Sequence, residues 1–222
     1  MFKAIVFDFD GLILDTEGPV YRSWVEVYEA HGEELPFERW VRIVGSTSIE
    51  FHPQHHLEER LGRPLPQEVL EERISRRTEM VLAEKLLPGV VELVEEARSA
   101  GLKLGVASSS TTDWVKGHLA RLGILDRFDC IRCRDEVARA KPEPDLYLAV
   151  LDCLGVAAAE AFAIEDSPNG IAAAKSAGLR CVAIPNPITS SLDLSRADLV
   201  VSSLADLSLA QLVEKLRTLG AG

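Results

Sequence analysis

Apolar and polar positions alternate along this chain in two rhythms. The stretch Lys3 to Phe7 (KAIVF) is a nearly unbroken apolar run, cut off at once by Asp8, Asp10 and Gly11. It is too short for a helix and predicts a buried strand. Similar runs recur at Leu102 to Ala107, Ala161 to Ile164, Leu179 to Ile184 and Asp198 to Val201. The segments between them carry a longer period. Val115, His118, Leu119 and Leu122 stand at i, i+3, i+4 and i+7, with Thr111, Thr112 and Asp113 as capping residues and Gly123 as a stop. Strands alternating with helices predict an α/β protein whose doubly wound parallel sheet is covered on both faces.

Thr16 to Lys85 departs from this alternation. Val20, Trp24, Val27, Tyr28 and His31 share one helical face and Leu70, Ile74 and Val81 another, with no convincing strand between them. An all-helical insertion of about 70 residues is too long for an ordinary connection, and insertions at the carboxyl ends of parallel strands lie over the ligand crevice. The expected organisation is therefore a core of residues 1–15 and 86–222 with a helical cap of residues 16–85, Trp24 and Trp40 belonging to the interior of the cap.

Charge narrows the partners. The chain has 222 residues, 24 Lys plus Arg against 35 Asp plus Glu and a net charge of −11, which argues against nucleic acid and against membrane surfaces. Asp8 and Asp10 interrupt the first apolar run where a secretory signal needs an unbroken one, and no stretch approaches the ~18 apolar residues of a membrane span. Without a signal, Cys130, Cys133, Cys153 and Cys181 read as reduced thiols, so a cytoplasmic protein is expected; we also expect a monomer whose partner is a small molecule.

The candidate chemistry sits where strands end. Asp8 and Asp10 stand two apart, so period-two geometry sends both carboxylates to one side, where they repel unless a cation intervenes. Glu165 and Asp166 end another strand, followed by Ser167, Pro168 and Gly170 as N-cap, first helical residue and close-approach glycine. Oxygen-only ligands of this kind suit magnesium. Ser108, Ser109 and Ser110 precede a helix, where hydroxyls and free N–H groups make an anion site. Lys141 lies in AKPEPD, whose prolines restrict the backbone around it. Together these parts are what phosphoryl transfer through a carboxylate nucleophile requires.

The ordered set DFDG, ASSS, AKPEPD and EDSPNG resembles the motifs of the haloacid dehalogenase superfamily, in particular the branch of β-phosphoglucomutase and small sugar-phosphate phosphatases. The resemblance implies a Rossmann-like core with a cap. It implies Asp8 as nucleophile and Asp10 as general acid and base. Ser108 and Ser109 would hold the phosphoryl group, and Lys141 would tie nucleophile to phosphate. The Mg²⁺ set would be Asp8, Asp10 through its main-chain carbonyl, Glu165 and Asp166, with Asp166 the direct ligand. Apart from the resemblance, the turn Gly45, Ser46 and Thr47 and, from an arginine-bearing helical face, Arg77 are the candidates for substrate contact. A phosphatase acting on a phosphorylated sugar is favoured over a mutase, because Val20 and the run Val44 to Ser48 are uncharged where a mutase carries basic groups. Ala140 stands where relatives often have glycine.

Three other signals have plainer readings. Cys130 and Cys133 form a C-x-x-C without a second ligand pair. His52, His55 and His56 fit a solvated cap helix. Arg73, Arg76 and Arg77 share a helical face that faces either the crevice or solvent with Glu71, Glu72 and Glu79. A receiver-type phospho-switch, the alternative from a different class, would be a single domain of ~120 residues without the insertion.

Overall fold

In the computed structural model, which describes residues 1–43 and 51–219, strands and helices alternate as the two rhythms predict. Among the described residues the strands are β1 (Ala4–Phe7), β2 (Lys103–Ser108), β3 (Cys130–Cys133), β4 (Ala161–Glu165), β5 (Arg180–Ala183) and β6 (Leu199–Val200). They form one sheet in the order β3-β2-β1-β4-β5-β6, every neighbouring pair parallel. Phe7 is in register with Val106 of β2 and Ile164 of β4. The residues that follow on these three central strands therefore emerge side by side at one edge of the sheet.

Alternation across the pleat divides the core. Ile5 and Phe7 pack with α5 (Val90–Ser99), α6 (Thr112–Arg121) and α9 (Leu209–Thr218). Ala4 and Val6 pack on the opposite face with α7 (Asp145–Leu154) and α8 (Pro168–Ser176). On that second face Ala161, Ala163 and Ala183 of the sheet meet Ala173 and Ala174 of α8. Small side chains on both surfaces let α8 lie close to the strands without leaving voids. Its start is fixed as the sequence suggests, with Ser167 Oγ accepting from Gly170 N at 3.2 Å and Pro168 in the first turn.

The helices α1 (Glu17–Ala30), α2 (Phe37–Val41), α3 (Pro53–Leu61) and α4 (Gln67–Ala83) build a separate apolar cluster around Trp24, Tyr28, Trp40 and Leu57. Ile188, from the loop after β5, is buried in that same cluster, and Leu192 packs against it. His56 Nδ1 lies 2.9 Å from the Tyr28 hydroxyl, and the exposed His52 and His55 stack on each other.

Two expectations need correction. No run predicted β3, because an edge strand of four residues carrying Arg132 lacks the apolar continuity of the central strands. Nor are all four cysteines reduced. Cys130 of β3 is bonded to Cys153 of α7, their Cα atoms 6.3 Å apart, whereas Cys133 and Cys181 are free and buried. The C-x-x-C pair cannot join to itself: Cys130 faces the α7 side of the sheet and Cys133 the other. No helix among the described residues is long and apolar enough to cross a membrane.

Candidate active site

The carboxyl edge of the sheet gathers residues that lie far apart in sequence. Asp8 follows β1, Glu165 ends β4 and Asp166 follows it; one carboxylate oxygen from each lies within 4.8 Å of the others, and all three side chains are buried. Lys141, in the loop before α7 and joined to Pro142 by a cis peptide bond, puts its Nζ 2.7 Å from Asp8 Oδ1 and 2.6 Å from Glu165 Oε1. Glu165 also accepts from the Tyr147 hydroxyl at 2.5 Å and, through its other oxygen, from Asp166 N at 3.2 Å. Gly170 completes the packing, since a Cβ there would overlap the Glu165 carboxylate.

Three buried acids facing one ammonium are electrostatically overloaded. Burial, and then the neighbouring Glu165, hold the Asp8 carboxyl well above the usual carboxylate range, with Lys141 opposing. Asp166 is raised likewise by burial and then by Asp8 and Glu165. Burial pushes the Lys141 ammonium toward losing its proton, but the two carboxylates outweigh it and raise its pKa. The same burial and the Glu165 charge raise Tyr147. A hard divalent cation fits this donor set: it consists of oxygen only, and a second positive charge relieves the repulsion that one lysine leaves.

Asp10 occupies different ground. Its Oδ1 accepts from Thr16 Oγ1 at 2.8 Å and Trp114 Nε1 at 2.9 Å, and its Oδ2 from Ser110 Oγ at 2.7 Å and Ser108 Oγ at 3.2 Å. The two aspartates read from sequence as a like-placed pair thus have separate partners, Asp8 with a lysine and acids, Asp10 with hydroxyls and an indole. Ser108 is fully buried and, like Ser110, spends its hydroxyl on Asp10, accepting in turn from Ser110 N at 3.0 Å; Ser109 and Ser110 both line the open space beyond, and Ser109 is exposed there.

That space is a cleft of about 650 Å³ between the sheet edge and the helical insertion. Asp8, Asp10, Lys141 and Asp166 line its floor, and Glu17, Val20 and Arg77 line it from α1 and α4. The three arginines of α4 divide: Arg76 pairs with Glu26 at 3.2 Å, Arg73 lies 4.2 Å over the Trp24 ring, and Arg77 reaches the cleft. Gly45, Ser46 and Thr47 lie outside the described residues.

Several lining residues were not read from the sequence. Glu17 is one; burial, then Asp10 and Asp15, push its carboxyl up to about 7. Its place in DFDGLILDTE, directly after the first strand, was the available signal. Trp114 and Arg134 also line the cleft, and Tyr147 and Asn186 reach the acid cluster from behind. Only the folded sheet brings these four to the site.

A haloacid dehalogenase-like hydrolase family model matches residues 2–178. The protein YhcW of Bacillus subtilis is 44% identical over 222 residues, covering 98% of this chain and 99% of its own. Beta-phosphoglucomutase of Bacillus subtilis is 33% identical over 223 residues, covering 96% of this chain and 95% of its own. The crystal structure of CbbY from Rhodobacter sphaeroides in complex with phosphate has a TM-score of 0.72 and 32% identity, covering 96% of this chain and all of that one.

Proposed function

Since this chain belongs to the haloacid dehalogenase-like hydrolases, we propose that it is a magnesium-dependent phosphomonoesterase that releases phosphate from a small phosphorylated sugar. One observation carries the reading: Asp8, bridged by Lys141 to Glu165, and Asp10, held by hydroxyls and the Trp114 indole, stand two residues apart with different partners. Two carboxyl groups in unlike surroundings can take unlike roles.

Asp8, Asp166 and the main-chain carbonyl of Asp10 would hold the ion, with Glu165 bracing Asp166 and Lys141. Bound there, it offsets the charge that would otherwise keep a phosphate dianion away from the acid cluster. The Asp8 carboxylate attacks phosphorus as the bond to the leaving oxygen breaks, and Asp10, entering the step protonated, delivers its proton to that oxygen. The Asp10 carboxylate then takes a proton from water, whose oxygen attacks phosphorus, so that the Asp8–phosphorus bond breaks and phosphate is free. Lys141 offers positive charge and Ser109 a hydroxyl to the transferring group. Residues 16–85 act as a cap over the leaving group, shielding the acyl-phosphate from untimely water. Val20 gives the cleft wall an apolar patch where a mutase would need charge to hold a bisphosphate while it turns round.

Incubation with a panel of phosphorylated sugars tests this, following both phosphate release and formation of glucose 6-phosphate from β-glucose 1-phosphate. Release with magnesium and none in excess chelator is the expected result. Full activity in chelator overturns the metal role, and conversion to glucose 6-phosphate without phosphate release overturns hydrolysis.

A further inference from the structure

The loop after β5 joins the acid cluster to the helical insertion through one side chain. Asn186 Nδ2 donates to Asp166 Oδ2 at 2.7 Å and to the Gly11 carbonyl at 3.1 Å. Its Oδ1 accepts from Ile188 N and Thr189 N, both at 2.9 Å. The orientation of the amide is fixed by its partners, since only the nitrogen end can face a carboxylate and a carbonyl while only the oxygen end can meet two N–H groups. The junction is tight. Gly11 has φ +77°, and a Cβ there would run into Asp166 and Asn186 alike. Two residues past Asn186, Ile188 is buried among Trp24, Tyr28 and Leu57 of the helical insertion.

We infer that Asn186 is a positioning residue: it holds the Asp166 carboxylate in place for the metal and passes to it the seating of the cap, which grips the same loop at Ile188. This rests on the metal reading of Asp166 given above. Asp166 has burial and like charges pressing on it. A neutral donor that orients one of its oxygens leaves the ligand charge intact and limits where the carboxylate can swing, which is how residues behind a metal ligand raise affinity. Ile188 is held to the Asn186 amide by its own N–H, so a shift of the cap moves the donor. Closure over a substrate and the geometry of the metal ligand are thereby linked.

The test is magnesium binding by titration calorimetry, alongside the dependence of turnover on magnesium concentration. Asn186→Ser keeps a side-chain oxygen to accept from Ile188 N but is too short to reach Asp166. It is expected to bind magnesium about tenfold more weakly, with turnover largely recovered at high magnesium, a rescue that general damage to the fold would not show. Ile188→Ala trims the cap contact without touching a polar group and is expected to weaken magnesium binding less. The double variant should then be no weaker than Asn186→Ser alone, because the effect of Ile188 runs through Asn186. If wild type binds magnesium and Asn186→Ser binds it equally well, this proposal is overturned alone; additive losses in the double variant overturn the link to the cap. A wild-type protein that binds no magnesium overturns the proposed function, and this role with it.

Discussion

Asp8 and Asp10 carry the same functional group, and what separates them is which atoms approach each one. Replacing Asp8 with Asn removes the carboxylate proposed to attack phosphorus and should abolish reaction with every phosphate ester. Asp10→Asn leaves that carboxylate in place. It should slow a sugar phosphate, whose alkoxide needs a proton, by about 10²–10⁴-fold, and p-nitrophenyl phosphate much less. Intact-mass spectra after brief mixing with the aryl ester should show a phosphorylated Asp10→Asn protein, since water is no longer activated to release it. Glu17 lends itself to a pH test. Its carboxyl titrates near 7 in the fold against an ordinary 4.5, because burial and then Asp10 and Asp15 disfavour its charge. The folded protein therefore keeps this proton to a higher pH than the unfolded chain does. Between these two values stability falls as pH rises, and above them the penalty is complete. Glu17→Gln should be more stable than wild type at about pH 8, by roughly 1–3 kcal/mol, and indistinguishable at about pH 4, as read from urea unfolding.

The elements differ in how openly the sequence displays them. β1, β2 and β4 are covered on both faces and so appear as apolar runs, and Asp8, just past β1, with Ser108 and Glu165, which end β2 and β4, could be placed at once. β3 could not, because an edge strand tolerates Arg132 and needs no long run. The pairing of Cys130 with Cys153 was hidden for a different reason: it depends on how α7 lies against β3, a tertiary fact. Asn186 was equally hidden, with one partner 175 residues away. The disulfide closes a loop that contains Lys141, and in the chain-entropy account a loop of this length contributes about 3 kcal/mol. Urea midpoints with and without reductant should differ in wild type and coincide in Cys153→Ser. α8 offers a second test, because Gly170→Ala would drive a methyl group into the Glu165 carboxylate. That variant should lose most of its turnover, and circular dichroism should show the helix retained.

At the scale of the molecule the cleft belongs to two bodies of side chains, and only one was legible in detail. The sheet edge supplies the groups proposed to react, at strand ends where position follows from register; the helical insertion supplies Glu17, Val20 and Arg77, whose facing depends on how its helices pack. Arg77 illustrates the difference, since spacing alone could not separate it from Arg76, which turned out to be paired with Glu26. Arg77→Ala should raise KM for a sugar phosphate by about tenfold, the size of one charge-assisted contact, while KM for p-nitrophenyl phosphate moves less. The central position of β1 has a consequence for how the protein comes into being. This strand leaves the ribosome first among the six, yet its neighbours in the finished sheet begin at Lys103 and Ala161. At roughly 5–20 residues per second of synthesis, Asp8 waits on the order of ten seconds or longer for Glu165 to be made. For all that time an apolar strand stands without its second neighbour, a natural client for a chaperone, and every nascent chain that stops short of β4 lacks two of the three clustered acids.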